Sequence, residues 1–350
     1  MHVPRGGPSG PPRVVSAPPR LPVVEALILG GGGMLGRKLA ESLARDPGIG
    51  GAEVSRLVLA DLGVPPAPPA DAPFPVDCRI VNVADRSGLD ALIATRPALI
   101  FHLAAVVSGE AETDLELGYS VNLDGVRSLL EAIRLAGGDY RPRLVFTSSI
   151  AAFGAPFPEI IDDDVTPHPL NSYGAQKVIG ETLINDYTRR GIVDGISLRF
   201  PSICVRPGAA NKAASGVFSN IIREPLTGRV AVLPLAPEIA FWCASPRSAV
   251  GFMRHAAGLD LDALGSRRAL NMPGLTATVA DEIAALRRAG GDAAVERIRR
   301  EPDPLVAGIV SAWPARFDTS RADAAGFTAE RTFDEIVQVF VDDELGGVIP

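Results

Sequence analysis

At 350 residues, with a formal net charge of −7, the chain is long enough to bury a large core in one α/β domain or two lobes, and it lacks the basic surplus that nucleic acid or an anionic membrane would select. Its composition, 47% hydrophobic against 21% charged, is that of a globular protein, and no apolar run approaches the ~18 residues of a membrane span. Cys78, Cys204 and Cys243 and the four histidines show neither disulfide nor metal-ligand spacing, so the expectation is a cytoplasmic protein with buried free thiols and no metal site.

Residues 1–22 are rich in Pro, Gly and Arg and contain no acid. The prolines oppose the amphipathic helix of a transit peptide and no separate apolar segment makes a signal peptide, so a disordered tail is expected. Val23 to Leu29 is an apolar run of the length of a strand buried on both faces. It ends in Gly30, Gly33 and Gly36, a spacing that suits a tight turn, close approach of a pyrophosphate, and tight packing of the following helix. The N-terminus of that helix offers free N–H groups to phosphate. An acidic residue should then follow at the end of the next strand, about 20 residues on. Arg56 to Asp61 supplies it slightly late, with Asp46 to Ala52 read as a loop insertion. Asp61 can accept from both ribose hydroxyls and repels a 2′-phosphate, and no basic residue follows in Leu62-Gly63-Val64, so NAD is favoured over NADP.

The proline-rich stretch from Val64 to Pro69 is a surface loop. Cys78 to Val83 reads as a third strand, Arg86 to Thr95 as a helix, and Ala98 to Val107 as a fourth strand running into its loop. Asp114 to Ala136 has a helical pattern stopped by Gly137-Gly138. Arg143 to Ser149 is a fifth strand ending in hydroxyls, Tyr173 to about Arg190 a helix, and Ile196 to Phe200 a sixth strand. Strand and helix in alternation predict a Rossmann-type, doubly wound parallel sheet over 23–203, with ligands at the carboxyl ends of its strands. Beyond Pro201 short strand-like pieces (Val230 to Leu235, Ala240 to Cys243, Ala269 to Asn271) alternate with helical ones (Ser215 to Leu226, Ser248 to Ala257, Val279 to Ala289, Asp292 to Arg300). They predict a smaller substrate-binding lobe over 204–350, from which segments can return to the nucleotide domain.

Tyr173 and Lys177 stand four apart on one helix face. Stabilising a phenolate near pH 7 requires about 4 kcal/mol. An ammonium ~5 Å away supplies about 3 kcal/mol at an effective dielectric of 20, and an oxidised nicotinamide ring can add the remainder. Ser149, at the end of the fifth strand, can hold the reacting alcohol, with Ser148 as its rival because neighbouring strand residues face opposite ways. The side chain of Asn122 is the candidate support for a water that relays protons from Lys177.

The ordered set Gly30/Gly33/Gly36, Asp61, Phe101-His102-Leu103-Ala104-Ala105, Val121-Asn122, Ser148-Ser149, Tyr173/Lys177 and Leu198-Arg199 resembles the extended short-chain dehydrogenases/reductases. Within them, Ala104 to Glu112, Asn185 to Gly191, Val205 to Gly208, Ile221 to Leu226 and Ala244 to Arg247 resemble the D-erythronate dehydrogenase family. The resemblance implies NAD-linked oxidation of the C2 hydroxyl of D-erythronate, or a related sugar acid, by a homodimer. It implies Tyr173 as general base, Lys177 on the nicotinamide ribose and lowering the Tyr173 pKa, Ser149 on the alcohol, and Asn122 in the relay. Met34 and Leu35 would donate to the pyrophosphate, Asn82 and Val83 would lie at the adenine, Leu103, Ala104 and Ala105 would line the cofactor, and Pro201 would lie beside the nicotinamide. Leu29 and Asn82 depart from the family pattern, standing where Thr and Asp are usual. Ser108, Asn211, Lys212 and Arg223 are the candidates for the substrate carboxylate. A nucleotide-sugar epimerase that retains NAD shares this catalytic set, although a dehydratase would carry acids where Ile150-Ala151-Ala152-Phe153 has none. An NAD-sensing regulator without turnover has no need of Tyr173 and Lys177.

Overall fold

A computed structural model of the chain describes residues 22–69, 71–208 and 215–350. The expected tail lies outside them apart from Pro22, as do Asn211 and Lys212. Seven parallel strands form the main sheet: β1 Val23–Leu29, β2 Ala52–Asp61, β3 Val76–Ile80, β4 Leu99–His102, β5 Arg143–Ser149, β6 Asp194–Phe200 and β7 Ala269–Asn271. Their spatial order is β3-β2-β1-β4-β5-β6-β7. The sheet thus grows outward in both directions from β1, and the crevice where its order reverses lies at the carboxyl ends of β1 and β4.

Alternation along the central strands explains why both faces are apolar. Ala26, Ile28, Leu57, Leu59, Leu99, Phe101 and Val145 pack with Leu39 and Leu43 of the helix Met34–Arg45 and with Phe252 and Met253 of the helix Pro246–Gly258. Leu27, Leu29, Val58, Ile100, Leu144 and Phe146 pack on the other face with Leu89, Leu129, Ile133 and Ile184.

The third strand runs earlier than expected, Val76–Ile80 in place of Cys78 to Val83, and three segments differ in kind from the sequence expectation. The stretch Asp46 to Ala52 is not a bare loop: Gly48–Ile49 forms a short strand antiparallel to Ala52-Glu53, and Gly50 and Gly51, at φ +55° and +78°, make the two-residue turn between them. The helix read over Asp114 to Ala136 is divided into Leu115–Tyr119, a wide π turn Ser120–Asp124, and Gly125–Ala136. The helix read over 292–300 ends at Val295, and Ile298–Arg300 instead pairs in parallel with Ala231–Leu233.

Past Pro201 the chain alternates between two units. The helix Pro246–Gly258 and β7 belong to the main sheet, where Arg143 holds the helix end by donating to the Ala256 and Leu259 carbonyls, both at 2.8 Å. The remainder gathers around a three-stranded sheet in which Ala240–Ala244 lies between Ser202–Ile203 and Leu275–Thr278. Phe218 of the helix Gly216–Leu226 stacks on Phe241 of that sheet with ring centroids 3.6 Å apart, and both rings are fully buried. Replacing Phe218 by Ala should cost about 3–5 kcal/mol of stability, because a deeply buried ring leaves a cavity. Urea unfolding measures it, and a loss under 1 kcal/mol would show that the second core collapses around the gap.

Candidate active site

The turn after β1 is built by close approach. Gly30 has φ +88°, and its N–H and that of Gly31 donate to the Ala60 carbonyl at 2.9 and 3.1 Å. A methyl group on Gly36 would sit 2.2 Å from the Gly30 carbonyl oxygen, so the helix Met34–Arg45 starts hard against the end of β1. Gly33 is different: a side chain there would meet nothing closer than the Gly30 oxygen at 3.4 Å. The space beside it is left open by the protein, and no side chain caps the helix that it begins. The N–H groups of Met34 and Leu35 and the positive end of the helix therefore face a cavity of about 270 Å³ whose walls include Gly33, Leu103, Val107 and Thr147. That cradle fits a dinucleotide pyrophosphate. The Asp61 carboxylate stands at its edge, held by the N–H groups of Gly32 at 2.8 Å and Leu62 at 2.7 Å. Leu103 and Ala104 both donate to the Leu29 carbonyl, which lays the loop after β4 against the glycine turn. Beyond β3, Asn82 accepts from Ala84 N–H at 3.0 Å while Val83 is buried against Gly125.

The helix Ser172–Arg189 brings the second half of the site. Asn171 caps it by accepting from Gly174 N–H at 2.7 Å, and Glu112 accepts from Ser172 N–H at 2.8 Å. A side chain on Gly174 would lie 2.1 Å from the Ala151 carbonyl oxygen, so only glycine lets the first turn of this helix touch the segment that follows β5. This contact sets Tyr173 close enough to Ser149 for the serine hydroxyl to pull the phenol pKa down, while Ser149 Oγ itself accepts from Ala151 N–H at 3.1 Å. Lys177, one turn on, is 2% exposed and donates to the Thr147 carbonyl at 2.8 Å, with its ammonium 4.7 Å from the centre of the Phe146 ring and 5.5 Å from that of Tyr173.

Burial governs the protonation of this pair. The Tyr173 phenol is pushed up to about 12 by desolvation, against the opposing pull of the Ser149 hydrogen bond. The Lys177 ammonium is brought down to about 7 by desolvation, against the field of Glu181. His102, enclosed beneath them and next to Lys177, falls to about 3 through burial and the lysine charge and is neutral. In the protein alone, desolvation of the phenol thus outweighs any lowering of its pKa by neighbouring groups.

Asn122 ties two parts of the site together. It is 1% exposed inside the π turn, its carbonyl accepts from Val106 N–H at 2.9 Å, and its amide donates to Gln176 Oε1 at 2.7 Å and to the Val106 carbonyl at 3.2 Å. Both amide hydrogens are committed, so the side chain supports no water by donation. It fixes the loop lining the cofactor cradle to the helix that carries Tyr173. Gln176, inside the Tyr-Gly-Ala-Gln-Lys pentapeptide, is the residue that the sequence reading missed; its place on the helix face beside Lys177 was the available signal.

The two serines part as strand geometry requires. Ser148 is buried and donates to Glu181 Oε1 at 2.5 Å. Glu181 is also paired with Arg199, which reaches it from β6 with Nη2 at 2.8 Å and Nε at 3.0 Å. Ser149, the next residue, faces Tyr173 instead. Pro201 is buried directly after β6, and Ser108 opens the helix Ser108–Thr113 just past Val107. Arg223 does not offer an unpaired charge: it is 4% exposed and bonded to Glu224 at 2.7 Å, Asn220 at 2.6 Å and the Arg206 carbonyl at 2.8 Å.

The sequence model of the NAD-dependent epimerase/dehydratase family matches residues 26–242. Two curated proteins named D-erythronate dehydrogenase are similar over most of the chain. The one from Cupriavidus necator is 44% identical across 91% of this chain and 98% of its own, and that from Haemophilus influenzae is 40% identical across 91% and 99%. A crystal structure described as a nucleoside-diphosphate-sugar epimerase from Agrobacterium tumefaciens superposes with a TM-score of 0.91 at 49% identity, over 98% of this chain and 99% of that one.

Two substitutions test the cradle. Gly33→Ala should fold with unchanged thermal stability, since its methyl group meets only an ordinary contact, yet weaken NAD on the order of 10-fold or more by filling the pyrophosphate space. Titration of NADH fluorescence reads this, and unaltered affinity would put the pyrophosphate elsewhere. Asp61→Ala should lower NAD affinity and narrow the preference over NADP; an unchanged ratio of kcat/KM for the two cofactors would remove Asp61 from the ribose.

Proposed function

The chain belongs to the NAD-dependent epimerase/dehydratase family, and from that premise we propose that it oxidises the C2 hydroxyl of D-erythronate to the 2-oxo acid. Tyr173 beside Ser149, with the Lys177 ammonium 5.5 Å from its ring and anchored on Thr147, which lines the glycine cradle, is the observation that carries the reading. The two D-erythronate dehydrogenases similar along nearly the whole chain supply the substrate. NAD, when bound, supplies the hydride acceptor and a positive ring next to the phenol.

Each protein group has a defined task. Ser149 accepts or donates a hydrogen bond at the substrate C2 oxygen and keeps that oxygen against Tyr173. Tyr173 Oη takes the hydroxyl proton as the carbonyl forms, which is general base catalysis by a phenolate. Lys177 Nζ, fixed by Thr147, stabilises that phenolate and would hold the cofactor ribose with its remaining hydrogens. The phenol alone sits at about 12, so Tyr173 would need added positive charge beside it, such as a bound oxidised cofactor would supply, to act as a base near neutral pH.

The same reading includes a cytoplasmic homodimer. The helices Leu115–Tyr119 and Ser172–Arg189 pack together and leave Leu115, Tyr119 and Ile179 exposed, an apolar set suited to a second copy. None of the described helices is long and apolar enough to cross a membrane, and all three cysteines are free.

Tyr173→Phe should lower kcat by about 10²–10⁴-fold while NAD still binds. Because the basic form of Tyr173 is the active one, oxidation by the wild type should rise with pH through the alkaline range, and this limb should vanish in the variant. Near-normal turnover of Tyr173→Phe would overturn the assignment. Formation of NADH on mixing D-erythronate with NAD separates this reaction from cofactor-retaining epimerisation, which gives none.

A further inference from the structure

Arg206 is the charged group of the cavity that the reaction above leaves unused. It lies on the segment between Ser202–Ile203 and the helix Gly216–Leu226, on the wall that faces the glycine turn, and lines the cavity with Pro207, Ser219 and Asn220. Its backbone is locked at both ends: its N–H donates to Ser219 Oγ at 3.0 Å, and its carbonyl accepts from Arg223 Nη1 at 2.8 Å. Among the described residues its guanidinium, by contrast, reaches the neutral Ser215 hydroxyl alone, Nη2 at 3.3 Å.

Among the described residues no carboxylate lies within ion-pair distance of Arg206, whereas Arg223 beside it is neutralised by Glu224. The group is half-buried, and burial together with the Arg223 charge holds its pKa below the ordinary arginine value. An arginine confined in a cavity without an acid costs stability, and an anion delivered by a ligand removes that cost.

Resting on the substrate reading above, we propose that Arg206 binds the substrate carboxylate and thereby selects 2-hydroxy acids over neutral polyols. Two anions could enter this cavity, the cofactor pyrophosphate and the sugar-acid carboxylate. The pyrophosphate already has the free N–H groups of the helix at Met34 and Leu35. Arg206 stands on the opposite wall, and the Thr147 end of the cavity is where Lys177 is anchored. A carboxylate on the guanidinium would leave the adjacent C2 hydroxyl free to reach toward the Thr147 end of the cavity, where Lys177 is held. The planar fork can engage both carboxylate oxygens, which fixes orientation as well as charge.

The test compares wild type, Arg206→Gln and Arg206→Lys, with thermal stability measured for each. With D-erythronate, KM should rise on the order of 10²-fold in Arg206→Gln, as for loss of an enclosed charge pair. Arg206→Lys should recover part of the loss, and the Kd for NADH should stay within about twofold because the pyrophosphate cradle is separate. The preference for D-erythronate over its uncharged amide should collapse in Arg206→Gln. An unchanged KM, or a weakened NADH affinity with an unchanged KM, overturns the inference. If Arg206→Gln fails to fold, the KM and amide preference of Arg206→Lys decide: both unchanged would also overturn it. Should the wild type not oxidise D-erythronate, the substrate reading itself has failed. The same comparison is then made on the aldonate that it oxidises fastest, where an unchanged KM again overturns the role of Arg206.

Discussion

A lysine ammonium enclosed by protein and held by one backbone carbonyl is the constraint on which the site depends. Lys177 reaches Thr147 at 2.8 Å from a helix that can come so near only because Gly174 touches the Ala151 carbonyl. Moving either end would withdraw Tyr173 from Ser149 and expose the cavity floor. The arrangement leaves lysine and tyrosine both displaced toward their neutral forms, at about 7 and about 12. In the proposed reaction such a phenol would become a useful base only with added positive charge beside it.

Charge is sorted around this pair. Glu181, one turn past Lys177, could have drawn the ammonium away, yet its oxygens are engaged by Arg199 and Ser148. That buried pair ties the helix Ser172–Arg189 to β6 and leaves Lys177 to Thr147. On the other side, Asn122 ties the loop after β4 to Gln176. The cradle and the catalytic helix thus share one polar network, and the π turn at Ser120–Asp124 is what turns the Asn122 amide inward.

The parts legible in the sequence are those whose geometry is local. The main strands were visible because both faces are buried, which makes each an unbroken apolar run; β2 began earlier than expected because its first residues are the polar half of a hairpin. The π turn was invisible, since it adds a residue to a helix without changing the composition of its apolar face. The partners of Arg223 were invisible for a similar reason: a basic residue in a helix shows nothing of the Glu224 and Asn220 side chains folded over it.

By itself, the sequence determined the phosphate turn, the acid at the end of β2, and the Tyr173–Lys177 spacing, because turn and helix geometry act over a few residues. The tertiary structure decided which serine meets the phenol, what Asn122 holds, and which of two arginines keeps an open charge. It also returned β7 to the main sheet beside β6, about 70 residues after the chain had left it. Those decisions rest on contacts between segments far apart in the chain. Burial and partner geometry then set protonation and availability, and neither can be read from residue type alone.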